Sequence, residues 1–428
     1  MKFVRSIHLI FKTLAGVILA TALSSCILEG RDADAPQDPS DENFRVLLSI
    51  RTLDATATQT QEVTEAVKSL RIIIIDTQGN LEVNELADLD RTEYQSSQFD
   101  YYFTRTLNPY DKKLYLVANE EQATNIALTD TEGLPADIPL SSLTALFDRF
   151  KVGATENGVP EGELLETALN RIYFENNYAD YMSGNTIYLP YSSYYKLEKI
   201  NMIPGQPKMV YLVPVATKFD LQFTNYRQNG VKIEDVVLCS TNSHNYLNAQ
   251  LPSEQQTRTF GQGKLWWIDW METCARNSQS AQDLEDFNNR WGWFENYGLP
   301  IADEPTIERS FNPDREDWSI GALVDKTNPQ KMSAGPLYAA ESVNIITDED
   351  GANARQGYTL TFTMTDLSNG ETKVLEGYEI DTLHTLFRGT HVSIIVDLYD
   401  KAVEVYAEIN PWTMVRFRGF VQEDDDDD

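Results

Sequence analysis

Histidines are few in this chain, and none is spaced for catalysis or metal binding. Of the four, His8 lies in an apolar N-terminal leader. His244, His384 and His391 form no H-E-x-x-H and no pair four residues apart, the spacing that would set two imidazoles on one helix face. His384 and His391 are seven apart, with Arg388-Gly389 reading as a turn between them. No serine stands in G-x-S-x-G, the sharp turn that exposes a nucleophile. Gly261-Gln262-Gly263-Lys264 is a fragment of a phosphate loop, without its spacing, and reads as a flexible turn. Asp348-Glu349-Asp350-Gly351 lacks the spacing and distal Glu of a calcium loop and reads as an acidic hairpin turn. With 66 Asp+Glu in 428 residues, neighbouring carboxylates are inevitable and do not by themselves argue for glycoside hydrolysis. No catalytic residue, metal or cofactor is assigned, and the chain is not read as an enzyme.

Two other residue types carry more information. Five of the seven tryptophans, Trp266, Trp267, Trp270, Trp291 and Trp293, fall within 28 residues. Such rings either form a small core of their own or present a surface for a sugar or a protein partner. Three cysteines are too few for a disulfide scaffold. Cys239 lies on an expected strand and Cys274 in the Trp-rich segment; they form either one bridge or two buried thiols.

The third, Cys26, belongs to the leader. Residues 1–25 hold Lys2, Arg5 and Lys12 and no acid, then the apolar run Leu14 to Leu23. Ten residues are too few to span a bilayer and suit a signal-peptide core. Leu23-Ser24-Ser25-Cys26 resembles a bacterial lipobox, which implies cleavage before Cys26 and acylation of it; acyl chains would hold the protein on a membrane surface. Residues 27–43 carry six acids, one Arg and two prolines and read as a solvated tether. The formal charge is −31, from 35 Lys+Arg against the acids, which excludes a nucleic-acid binder of the usual basic kind. Residues 423–428, EDDDDD, read as a solvated tail.

The elements that must position any site are mostly strands. Phe44 to Thr52 is the first expected strand, followed by a polar loop, 53–66, with no Lys or Arg. Val67 to Asp76 contains four successive isoleucines, which predicts a strand buried on both faces. Phe99 to Thr106 and Lys112 to Asn119 continue the strand–turn rhythm. Residues 141–150 and 161–178 break it with helical spacing, the second including Leu164, Leu165, Ala168, Leu169 and Ile172. Residues 186–195 return to extended character. A second set of strands is expected at 210–225, 236–240, 358–365, 392–398 and 403–409, with 250–335 an irregular aromatic-rich excursion carrying a helix near 283–289. The alternation in YTLTFTMT, 358–365, predicts one buried and one wet face. In 414–421, Val415, Phe417 and Val421 share one face of a terminal strand that either completes its own domain or pairs with a partner.

The order of these segments resembles the fimbrillin family of Bacteroidetes fimbrial subunits and accessory lipoproteins. The matching pieces are Cys26, LRIIIID-x-x-GN at 70–80, KKLYLVAN at 112–119, VPVATKFDLQFTN at 213–225, FRGTHVSIIVDL at 387–398 and VEVYAEINPW at 403–412. The resemblance implies a mainly β fold of two transthyretin-like Greek-key β-sandwich domains with helical and aromatic-rich insertions. The divisions it supports are a signal peptide at 1–25, a tether at 26–43, domains at 44–205 and 206–421, and a tail at 422–428. It also implies assembly with other fimbrial subunits by strand exchange, with the first strand removed by cleavage after an Arg in the loop that follows it. Here that loop has no Arg; Arg45 and Arg51 lie within the strand and Arg31 in the tether. The expectation is therefore a lipid-anchored, cell-surface accessory or anchor subunit at the outer membrane that retains residues 44–52, with a host protein or glycan as a further partner. A surface glycan-binding lipoprotein using the Trp-rich insertion is the alternative.

Overall fold

The computed structural model describes residues 44–52, 66–89, 100–175, 188–203, 205–241, 244–248, 259–260 and 264–265. It also describes 307–411 except 312–317, 325–327, 344, 348–352, 356–357, 381–382, 384 and 387.

The chain is mainly β. Its first half places β1 (Phe44–Thr52), β2 (Leu70–Asp76), β3 (Leu81–Leu86), β4 (Asp100–Leu107), β5 (Lys112–Ala118) and β6 (Thr124–Leu128) in sequence. Helices α1 (Leu143–Arg149) and α2 (Glu161–Leu169) follow, then β7 (Ile172–Glu175), β8 (Tyr191–Leu197) and β9 (Lys208–Leu212). One sheet has the order β9-β1-β4 and a second the order β8-β5-β2-β3. They face each other: Val46, Leu48 and Ile50 share one apolar core with Ile72, Ile74, Leu114 and Leu116.

All seven residues of β2 are buried, as the run of isoleucines predicts. Because side chains alternate across a strand, Ile72 and Ile74 enter that core, while Ile73 and Ile75 join a second core with Leu146, Phe147, Leu165 and Leu169 of the helices. Ser142 starts α1 by accepting the Ala145 N–H at 3.0 Å, a cap worth about 1 kcal/mol. Gly162 lets α2 approach the 79–81 turn, since a Cβ there would lie 2.4 Å from the Gly79 carbonyl oxygen. The helical periodicity read through Ile172 stops early. α2 ends at Leu169 and Ile172 opens β7, with Ile172 and Phe174 turned into the second core.

The second half holds β10 (Thr217–Asn225), β11 (Val231–Thr241), β12 (His244–Tyr246), β13 (Ile307–Ser310), β14 (Trp318–Ile320) and β15 (Gln330–Ala339). After these come β16 (Thr359–Asp366), β17 (Thr372–Glu379), β18 (Thr390–Leu398) and β19 (Val403–Pro411). The order β15-β10-β18-β19 faces β13-β11-β16-β17, in which β14 also pairs with β11. Phe223 packs edge-on to Phe362 across the two sheets, ring centroids 5.2 Å apart. In β16, Leu360, Phe362 and Met364 are buried and the intervening threonines half-buried, which matches the expected alternation.

Three features depart from the sequence reading. Residues 210–212, expected to open the second set of strands, belong to β9, which pairs parallel with β1; the chain passes to the second sheet pair at 213–216. The expected irregular excursion supplies β13, β14 and the start of β15. Strand β15 was hidden by its Gly335-Pro336, where the register with β10 shifts between Phe219 and Leu221. A Cβ on Gly335 would meet the Phe219 carbonyl oxygen at 2.9 Å, and its φ is +122°, so only glycine fits this bulge. Finally, β12 returns to the first half and completes a sheet β12-β7-β6, with Leu247 in the helical core.

Candidate strand-exchange site

β1 is the middle strand of its sheet. It runs antiparallel to β4 from Phe44↔Leu107 to Arg51↔Asp100 and parallel to β9 from Leu48↔Lys208 to Thr52↔Leu212. Val46, Leu48 and Ile50 are each 0 % exposed. On the other face Arg45 is exposed, Leu47 half-buried and Ser49 buried. Burying three such side chains contributes roughly 5–9 kcal/mol at about 1.5–3 kcal/mol each. That is comparable to the whole stability of an ordinary domain, about 5–15 kcal/mol.

The walls of this slot differ. β9 is braced from behind: the Tyr195 hydroxyl donates to the Tyr211 carbonyl at 3.0 Å and accepts its N–H at 2.8 Å, and Ser193 Oγ accepts the Val213 N–H at 3.0 Å. β4 is a sheet edge whose Tyr102, Thr104, Arg105 and Thr106 are exposed, a polar surface of the kind that discourages stray pairing. Arg105 is held there by Glu85 at 2.6 Å. Without β1, two facing rows of backbone donors and acceptors and a line of apolar pockets would open. An extended segment with alternate apolar side chains fits such a slot by β-augmentation.

Buried ion pairs that the sequence reading passed over hold the surroundings. Arg71, within the isoleucine run, makes two bonds to Glu120 at 2.7 and 2.9 Å, one to Asp148 at 3.0 Å and one to Asn84 at 3.0 Å. Burial works to lower the Arg71 pKa and these carboxylates outweigh it, so the guanidinium is held above its usual value. Arg388, in the expected turn, pairs with Glu341 and donates to the carbonyls of Leu247 at 2.8 Å and Tyr246 at 2.6 Å. It thereby ties the second sheet pair to the strand that returns to the first. A charged residue inside an apolar run was the available signal for Arg71; Arg388 had none.

The other sequence candidates scatter. Cys239 is half-buried on β11 and carries no disulfide to another described residue. Cys274, Cys26, His384, Trp266, Trp267, Trp270, Trp291, Trp293, the 283–289 helix and segments 27–43, 53–65 and 414–428 lie outside the described residues. The strands flanking the acidic 348–351 run, Ile345–Thr347 and Asn353–Arg355, pair antiparallel. His244 meets Glu175 at 3.1 Å and His391 meets Asp220 at 2.8 Å. Burial pushes the Asp220 carboxyl up, but the His391 bond, the His391 charge and Lys218 outweigh it and hold it below the usual range. Among the described residues, no group of three or more His, Cys, Asp or Glu is placed to hold a metal ion, and no helix is long and apolar enough to cross a membrane.

No family model and no curated protein matches the chain. Solved structures do. The tip fimbrial protein Mfa3 from Porphyromonas gingivalis, with a C-terminal truncation, is 15% identical, with 86% of this chain and 100% of that one covered at a TM-score of 0.44. A candidate cell adhesion protein from Parabacteroides distasonis is 12% identical, covering 87% and 98% at 0.43. A fimbrial assembly protein from the same species is 12% identical, covering 78% and 99% at 0.29. The structural neighbours are Bacteroidetes fimbrial and adhesion proteins.

Proposed function

We propose that this chain is a cell-surface fimbrial subunit of accessory or anchor type. In this reading acyl chains on Cys26 fix it to the outer membrane, β1 is retained, and it joins other fimbrial subunits by donating a strand. Two β-sandwich domains, parting at 213–216, form its body. Its role is mechanical and adhesive rather than catalytic.

The observation that carries the reading is β1 itself. It fills a slot between β4 and β9 with Val46, Leu48 and Ile50 fully buried, and the loop after it offers no Lys or Arg for a trypsin-like cut. A subunit that keeps this strand keeps its slot closed and its tether attached, as a base component must. The resemblance of residues 70–80, 112–119, 213–225 and 387–412 to fimbrillin-type segments supports the same class. β19, at the edge of its sheet, leads into the apolar alternation of 414–421, which suits a donor strand.

The test is the N-terminus of the protein on intact cells, with its lipid content by mass spectrometry. An acylated Cys26 start is the expected result. A start at Thr52 or later would show that β1 leaves and that the chain is a polymerising stalk subunit.

A further inference from the structure

One end of the first sheet pair carries an apolar tip. The 108–111 turn joins β4 to β5, and Tyr110 in it is 46 % exposed. The Asp111 carboxylate accepts the Lys199 N–H at 2.9 Å, which brings the short 3-10 turn Lys199–Asn201 beside it. There Ile200 is 90 % and Ile203 61 % exposed. Isolated apolar residues on a surface need no explanation, but a cluster at one end does.

Two further facts say what covers this tip. First, β1 begins here: Phe44 stands opposite Leu107, the residue just before the turn. The 17-residue segment 27–43 therefore leaves the fold at this end and leads back to Cys26. The opposite end of β9 runs on through 213–216 into the second sheet pair, where Gly389 donates to Ala216. Second, the segment that carries Ile200 and Ile203 is locally basic. In a chain of net charge −31, residues 196–209 hold Lys196, Lys199 and Lys208 against Glu198 alone. Apolar side chains beside lysines suit the boundary of an anionic bilayer, where the rings and chains enter the headgroup layer and the ammonium groups meet phosphate.

We propose that this tip, Tyr110 with Ile200 and Ile203, rests in the headgroup layer of the membrane to which Cys26 is attached. This rests on the anchor reading above. The contact fixes the first sheet pair against the bilayer and points the second outward, so the lipid supplies attachment and the tip supplies orientation.

Photocrosslinking on intact membranes separates the two proposals. The full chain is expressed with a benzophenone side chain at position 200, at 203, or at the far-end control position 324, where Val324 is 85 % exposed. The expected result is a phospholipid adduct at 200 and 203 at least tenfold more abundant than at 324. An acylated, membrane-bound protein with equal or absent lipid adducts at 200 and 203, or with adducts to another protein there, overturns the tip contact and leaves the anchor reading standing. A chain without acyl groups on Cys26 overturns both.

Discussion

The two sheet pairs each contain a mixed sheet built around one central strand, and those two strands differ in how the chain continues from their ends. β1 is parallel to β9 and antiparallel to β4; β18 is parallel to β10 and antiparallel to β19. Both bury a line of β-branched and leucine side chains: Val46, Leu48 and Ile50 in one, Val392, Ile394 and Val396 in the other. The difference is covalent. β18 turns directly into β19, with Tyr399 donating to Ala402, and its other end is tied down by the Arg388 turn. β1 is joined to residues 27–43 on one side and, on the other, to residues 53–66, which include no Lys or Arg. Side-chain content does not distinguish the two strands; chain order does.

Deletion is the sharpest way to break this comparison. Removing residues 44–52 is expected to abolish cooperative unfolding of the first sheet pair, and adding the peptide FRVLLSIRT is expected to restore it in calorimetry. Removing 390–398 should abolish folding with no rescue by the matching peptide. Rescue in both cases would show that connectivity does not matter. Next in size are the buried ion pairs that hold each half. Arg71→Ala leaves Glu120 buried without its partner and should cost about 3–5 kcal/mol in denaturant unfolding. Arg388→Ala should cost as much and also loosen Leu247, read as faster hydrogen exchange in 244–248. A smaller effect is expected from Gly335→Ala, about 1–3 kcal/mol, since φ is +122° and a Cβ meets the Phe219 carbonyl.

The smallest effect is set by pH and belongs to the second pair. Asp366 accepts from Ser368 Oγ and N, Asn229 and Arg227, and these bonds, the Ser368 pair first, hold its pKa at about 2. Its folded pKa lies below its unfolded one. The stabilisation is therefore complete above the ordinary carboxylate range and is lost as pH falls toward about 2. Asp366→Asn should flatten part of the fall in Tm between pH 5 and pH 2. An unchanged acid limb would show that Asp366 contributes nothing there.

Legibility followed burial. The isoleucine run of β2, the threonine alternation of β16 and the apolar stripes of both helices carry their periods openly, because each packs a continuous core face. β17 was missed: in TKVLEGYE only Leu375 is buried, and an edge strand with little burial has little pattern to read. β15 was concealed by a bulge that its partner imposes. Ile172 was misplaced because Leu169 and Ile172 fit helical spacing, whereas Asn170 and the pull of two inward residues, Ile172 and Phe174, favour a strand.

From sequence alone came the acidic balance, the apolar run before Cys26, the mainly β character, the position of β1 and the absence of a basic residue from 53–66. All of these are local, set by residue type and period. Tertiary structure alone decided that β9 stands beside β1, that Tyr195 braces the far side of that slot, and that Asp111 and Lys199 meet at the end where β1 begins. These are pairings between residues up to about a hundred and sixty positions apart. No local preference encodes them, because strand pairing is chosen by the fit of whole faces around a shared core.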